Sequence, residues 1–174
     1  MRTLQQIMDE VFCDPDLTPE QVPALDLYMD QVLTLFNDGL QGSKRHPDDK
    51  LLTKTMIHNY SKEKLLSPIH GKKYSHQHIM QMLCVYQLKQ MLALGDVGRL
   101  TGRDDVDFEA CWRRFLADKK LLRDAIPAQL SEHLDACLDD AGDRLRLCLS
   151  LSAISVYMRR LCEKILDEQA EEQD

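Results

Sequence analysis

Aromatic residues are scarce in this chain, at 6% of its 174 residues, and so are the backbone punctuators, with seven glycines and six prolines. These fall between periodic segments rather than in runs, which excludes a collagen-like or low-complexity chain. The six cysteines (Cys13, Cys84, Cys111, Cys137, Cys148 and Cys162) include no CxxC pair. No Cys/His cluster has zinc-ligand spacing. Most of the cysteines have apolar neighbours, so buried free thiols in a reducing compartment are expected. No stretch approaches the ~18 apolar residues of a membrane span, and the first residues open no apolar run of signal-peptide length.

Catalytic motifs are missing as well. There is no Gly-rich phosphate loop, GxSxG, HExxH or DxD-type metal motif. Asp104, Asp105 and Asp107 have no downstream ligands and read as a helix-capping loop. Cys111, beside Trp112, has no histidine close in sequence and reads as core. His76 and His78 are two apart and so diverge on a helix, which argues against a metal site with His70. The chain is therefore read as a non-enzyme: no catalytic residue, no metal and no cofactor is expected, in a cytoplasmic protein without a membrane segment.

What is present favours helix. The chain is 44% hydrophobic and 29% charged, rich in Ala, Leu, Met, Gln, Lys, Arg and acids, which are good helix formers. Leu4, Ile7, Met8 and Val11 share one helical face, as do Leu25, Met29, Val32, Leu33, Phe36 and Leu40. A polar loop follows over 41–50. Thr53 can cap a helix running to about residue 64. Residues 66–74 contain Pro68 and Gly71 and read as a short wing hairpin. Ser75 can cap a helix over 76–93 that is apolar nearly all round, as a central, buried helix is. A short helix weakened by glycines spans 95–101. Further helices are expected over 107–123, from Pro127 onward, and over 144–168. In the last, Leu147, Leu151, Ile154, Met158, Leu161 and Ile165 are spaced 4, 3, 4, 3, 4, an a/d-type seam. The fold class is all-α: a helix-turn-helix-like module over residues 1–102, then a C-terminal helical bundle over 103–174.

The charge is unevenly spread. The net formal charge is -7, yet residues 44–78 hold eight Lys/Arg against three acids, a local +5 that leaves -12 elsewhere. Five of the six histidines fall in the same stretch. In helix 53–64, Met56, Ile57 and Tyr60 are spaced to face inward. Lys54, Thr55, His58, Asn59 and Lys62 then face outward, with donors, acceptors and positive charge suited to base edges and phosphates. Lys72 and Lys73, beside Gly71 and Tyr74, form a basic tip suited to phosphate. Read so, the partner is double-stranded DNA. A solvated, incidentally basic face on a helical interaction or sensor module is the alternative. Arg113, Arg114, Lys119, Lys120 and Arg123 are diluted by Glu109, Asp118 and Asp124 and read as a solvated face.

Residues 51–94, LLTKTMIHNYSKEKLLSPIHGKKYSHQHIMQMLCVYQLKQMLAL, resemble the bacterial domain-of-unknown-function family 1836, and DLYMDQV (26–32) is similar to that family's opening helix. More distantly, the segment resembles MerR-type regulators, which run polar helix, GLL-P, wing, YS, helix. The resemblance implies a bacterial, cytoplasmic transcriptional regulator with helix 53–64 as recognition helix and 66–74 as wing. The polar connection between helix 25–40 and Thr53 departs from the tight turn of MerR-type proteins. The C-terminal seam has two readings: it closes the chain's own core, or it pairs two copies into a homodimer. An effector ligand is not identified by any residue.

Overall fold

The computed structural model describes residues 2–69, 71–134 and 137–171. Its helices are α1 (Leu4–Val11), α2 (Met29–Gly39), α3 (Lys54–Lys62), α4 (His76–Leu88), α5 (Leu94–Thr101), α6 (Phe108–His133) and α7 (Ala141–Glu171). Two-residue strands β1 (Leu27–Tyr28) and β2 (Lys73–Tyr74) pair antiparallel, Leu27 opposite Tyr74 and Tyr28 opposite Lys73. The fold is all-α apart from this ribbon. Among the described residues no helix is long and apolar enough to cross a membrane. The chain forms two compact units, residues 14–118 and residues 1–13 with 119–174. The division drawn at residue 103 in the sequence differs in where it puts α1 and residues 103–118.

The unit 14–118 is built around α4. Ile79, Met80, Gln81, Met82, Leu83 and Val85 of that helix are all buried, as its all-round apolar pattern predicts. Ser75 caps it, its hydroxyl accepting from the His78 N–H. Val32 and Phe36 of α2, Ile57 and Tyr60 of α3, and Val97 of α5 are each essentially out of solvent too, and the Phe36 ring meets Tyr86 of α4 edge-on at 6.2 Å. Trp112 of α6 is buried and its indole N–H donates to the Leu17 carbonyl at 2.8 Å. That bond fixes the segment before α2 on the start of α6. Arg113 joins the same two segments, bonding both Glu20 and Glu109. Asp107 caps α6, accepting from the Ala110 N–H at 3.0 Å, so the aspartate loop caps a helix as its sequence suggests.

α3 ends in a left-handed turn. Lys64 has φ 57°; its N–H bonds the Ser61 carbonyl and the Leu65 N–H bonds the Tyr60 carbonyl at 2.8 Å. This is a Schellman closure with lysine where glycine is usual, and Leu65 and Tyr60 supply its buried apolar contact. The turn is met closely by the end of α5, where a Cβ on Gly102 would stand 2.6 Å from the Lys64 carbonyl oxygen. Gly102, and Gly98 with Leu65 3.3 Å from where its Cβ would stand, allow this approach.

In the other unit, α1 is closed by a capping box. The Gln6 N–H donates to the Thr3 hydroxyl and the Thr3 N–H to the Gln6 side chain. Its apolar face, Leu4, Ile7 and Met8, lines a pocket with Leu130 of α6, Leu134 just after it, and Leu147 and Leu151 of α7.

Four sequence expectations are corrected. The helix expected from residue 25 starts at Met29, because Leu27 buries its side chain in the strand pairing; Asp30 occupies its first turn. The hairpin expected within 66–74 does not form: β2 pairs with β1 instead. Pro68 has no N–H for a ladder, and the Ser67 N–H is committed to Gln81. Pro127 lies inside α6 rather than starting a helix; it has no N–H to donate, yet the helix continues through it. The thiols are free, as expected, but Cys13, Cys111, Cys137 and Cys148 are exposed and Cys84 and Cys162 half-buried. Cys111 and Cys148 are displaced outward by the neighbours that take the inward positions, Trp112 and Leu147. Burial pushes the Cys84 thiol up to about 12. His70 and residues 172–174 of the acidic tail lie outside the described residues.

Two glycine substitutions test the packing of α5. Gly102→Ala drives a methyl into the Lys64 carbonyl and is expected to destabilise by about 1–3 kcal/mol. Gly95, with open space where a Cβ would stand, is expected to gain a few tenths to about 1 kcal/mol on replacement by Ala. Urea denaturation of both variants measures the two shifts, which have opposite signs.

Candidate nucleic-acid interface

α3 starts on Thr53, whose hydroxyl accepts from the Met56 N–H at 3.2 Å. Leu51 and Leu52, both buried, return the chain to the core just before that cap. The long connection ahead of them is internally bonded: residues 41–43 form a 3-10 turn and the His46 N–H donates to Asp49. Ile57 and Tyr60 anchor the inner face of α3, with Met56 half-buried. Lys54, Thr55, His58, Asn59 and Lys62 are all exposed. The side chains of Thr55, His58, Asn59 and Lys62 make no hydrogen bond or ion pair with any described residue.

The segment after α3 is held at both ends. At one end, the Ser67 N–H donates to Gln81 Oε1 at 2.9 Å, and the Gln81 amide donates to the Thr101 carbonyl at 2.6 Å. The His78 ring lies 3.4 Å from the Pro68 carbonyl and 2.7 Å from the Ser75 hydroxyl. At the other end, Tyr74 is buried and in register with Leu27. Between them Gly71 takes φ 83° in open space, and Lys72 and Lys73 are exposed.

The two sets of lysines meet at the start of α2. Lys54 Nζ is 2.7 Å from Asp30 Oδ1 in the first turn of α2. Lys73 Nζ sits 4.9 Å over the ring of Tyr28, the residue just before that turn. The strand pairing is what makes this possible, since it lays Lys73 opposite Tyr28. A continuous strip therefore runs from α3 through Asp30 and Tyr28 to Lys73 and Lys72. Lys89 stands apart from the strip. It is half-buried with its cation 6.0 Å from the Tyr60 ring and 5.4 Å from the Tyr86 ring, and burial lowers its pKa. Burial also pushes the Tyr60 hydroxyl up to about 12. The two histidines of α4 diverge, His76 toward Glu109 at 3.2 Å and His78 toward Ser75.

The model of one protein family, described as a domain of unknown function (DUF1836), matches residues 17–103. The chain belongs to the DUF1836 family. No curated protein and no solved structure matches it. The DUF1836 stretch begins at Leu17, whose carbonyl receives Trp112, and ends just past Gly102, against the turn at Lys64. It holds every residue of the strip and all of α2 to α5. Sequence reasoning on this DUF1836 stretch did not find Asp30, Tyr28 or Gln81. Only Gln81 left a signal, as the one amide in the apolar run IMQMLCV of a helix buried all round.

Gln81→Leu leaves the Ser67 N–H and the Thr101 carbonyl buried without partners. The expected cost is about 2–4 kcal/mol. Hydrogen exchange would show lost protection at the Ser67 amide beyond what the global change explains; unchanged protection there means Gln81 does not hold the segment.

Proposed function

We propose that this DUF1836 protein is a DNA-binding regulator acting in the bacterial cytoplasm, α3 entering the major groove and the Lys72–Lys73 turn gripping phosphate. The observation that carries the reading is the junction at the start of α2. Lys54 and Lys73, 19 residues apart in sequence, flank the same helical turn through Asp30 and Tyr28. A duplex needs such a layout, with a polar helix face for base edges beside cations for the backbone. Asn59 and His58, exposed in mid-helix, offer donor and acceptor pairs for bases; Lys62 and Lys72 offer charge.

Asp30 has a definite part in this reading. Its exposed pair with Lys54 is worth about 0–1 kcal/mol, little enough for a phosphate to displace the carboxylate. In the free protein the acid holds the lysine extended and neutralises it. The acidic remainder of the chain repels DNA and confines its approach to the one basic segment. The sequence pattern of MerR-type regulators agrees in order with this arrangement: polar helix, turn, strand, helix.

A mobility-shift titration of Lys72→Ala/Lys73→Ala against wild type over a range of salt tests the proposal. Each lost phosphate contact removes roughly 0.9 from the slope of log K against log salt, so a drop of about 2 is expected. Asp30→Asn, which frees Lys54, is expected to tighten binding about 2- to 5-fold at low salt. Unchanged affinity and slope in the double variant removes the lysines from the interface. A wild-type chain that shifts no duplex favours the alternative, a helical interaction or sensor module without DNA.

A further inference from the structure

The segment ahead of α2 and one face of that helix line an open groove of about 650 Å³. Leu17, Pro23 and Leu27 come from the segment, and Asp30, Thr34, Leu35 and Asp38 from the helix. The floor is fixed from below. Leu17 is buried with its carbonyl held by Trp112, and Leu27 is buried in the strand pairing. A Cβ on Gly39 would stand 2.8 Å from Leu17 Cδ1, so the missing side chain lets Leu17 close against the end of α2. The rim is acidic. Asp30 and Asp38 are exposed, and no Lys, Arg or His lines the groove. Asp30 pairs with Lys54, whereas Asp38 makes no hydrogen bond or ion pair with any described residue. The surrounding stretch has the same sign: residues 14–43 carry six acids and no Lys, Arg or His.

We propose that this groove docks a basic amphipathic helix of a partner protein, its apolar stripe on Pro23, Leu27 and Leu35 and its cations on Asp30 and Asp38. Charge sets the sign of the occupant. Two carboxylates, one of them unpaired, flank an apolar floor, and only a cation-bearing partner with an apolar side complements both. Shape sets its class. Pro23, Asp30, Thr34 and Asp38 are exposed, so an occupant is covered from one side only, whereas a small-molecule site buries roughly 70–90% of its ligand. An amphipathic helix suits one-sided cover, since it keeps its polar face in water. Spacing sets the register. Asp30, Thr34 and Asp38 fall at i, i+4 and i+8 on one face of α2, which puts the two carboxylates about 12 Å apart along the axis. Basic residues seven apart on a helix laid along α2 span about 10.5 Å and reach both. Asp30 is shared with the strip on α3, so a docked cation competes with Lys54 for it.

This docking does not depend on the DNA reading, and its test contains no DNA. The probe is a fluorescein-labelled peptide of Leu, Ala and Lys, about 18 residues long so that it forms a helix, with one leucine stripe and lysines seven apart. It is titrated with the full chain and read by fluorescence anisotropy. Saturable binding is expected, and a scrambled peptide of the same composition, which has no apolar face, is expected to bind about tenfold more weakly or worse. Asp38→Asn is expected to weaken binding about 2- to 5-fold, as loss of one exposed pair does. Asp26→Asn, the same loss of charge on a residue that does not line the groove, is expected to leave affinity unchanged. Leu35→Gln is expected to weaken it about tenfold with the circular dichroism of the chain unchanged. Lys54→Ala, outside the groove, frees Asp30 and is expected to tighten binding about 2- to 5-fold. No saturable binding below about 1 mM, equal affinity for the scrambled peptide, or equal effects of Asp38→Asn and Asp26→Asn overturns the proposal. Displacement of the peptide by an equal concentration of 1,8-diaminooctane assigns the groove to a small cation instead and overturns it as well.

Discussion

The Gln81 side chain is fully buried, its oxygen taking the Ser67 N–H and its amide reaching the Thr101 carbonyl. Through it the central helix α4 holds the chain leaving α3 and the end of α5 at once. The close approach of Gly102 to the Lys64 carbonyl is the second half of the same clamp. Together they fix where α3 stops and which way the chain departs. That departure sets the path to Gly71 and β2, and so brings Lys73 over Tyr28. An amide in such a position is costly unless both ends are bonded, and bonded at both ends it defines one geometry.

Much of the fold was legible in the sequence because its helices are strongly periodic. Val32 and Phe36 in α2, Ile57 and Tyr60 in α3, and the apolar girth of α4 are all buried where spacing puts them. The caps at Thr53, Ser75 and Asp107 were readable from residue type, and each makes its bond. The errors share a cause: they depend on partners distant in sequence. Leu27 looks like part of the first turn of a helix over 25–40 until Tyr74 is opposite it. Residues 66–74 look like a hairpin until Gln81 takes the N–H that the first arm would need. Pro127 looks like a helix start, but α6 runs on through a residue that has no N–H to donate.

The candidate interface divides in the same way. That Lys54, Thr55, His58, Asn59 and Lys62 share the outer face of α3 follows from 3.6-residue periodicity, with Ile57 and Tyr60 fixing the inner face. That Lys72 and Lys73 flank a glycine turn follows from composition. What periodicity cannot supply is the connection between the two groups. Asp30 and Tyr28 supply it, and each is an ordinary surface residue in the sequence. The seam of α7 was equally visible as spacing, but only the structure shows that Leu147 and Leu151 line the apolar pocket with α1 while the four rungs beyond do not.

The central claim is that α3, the start of α2 and the 71–74 segment act as one DNA-facing surface. The most direct measurement is an amide chemical-shift titration of the ¹⁵N-labelled chain with a mixed-sequence duplex. The account predicts perturbations grouped in residues 28–31, 54–62 and 71–74, saturating together with one binding constant. Shifts in only one of these groups, shifts confined to other helices, or no shifts at low salt would contradict it.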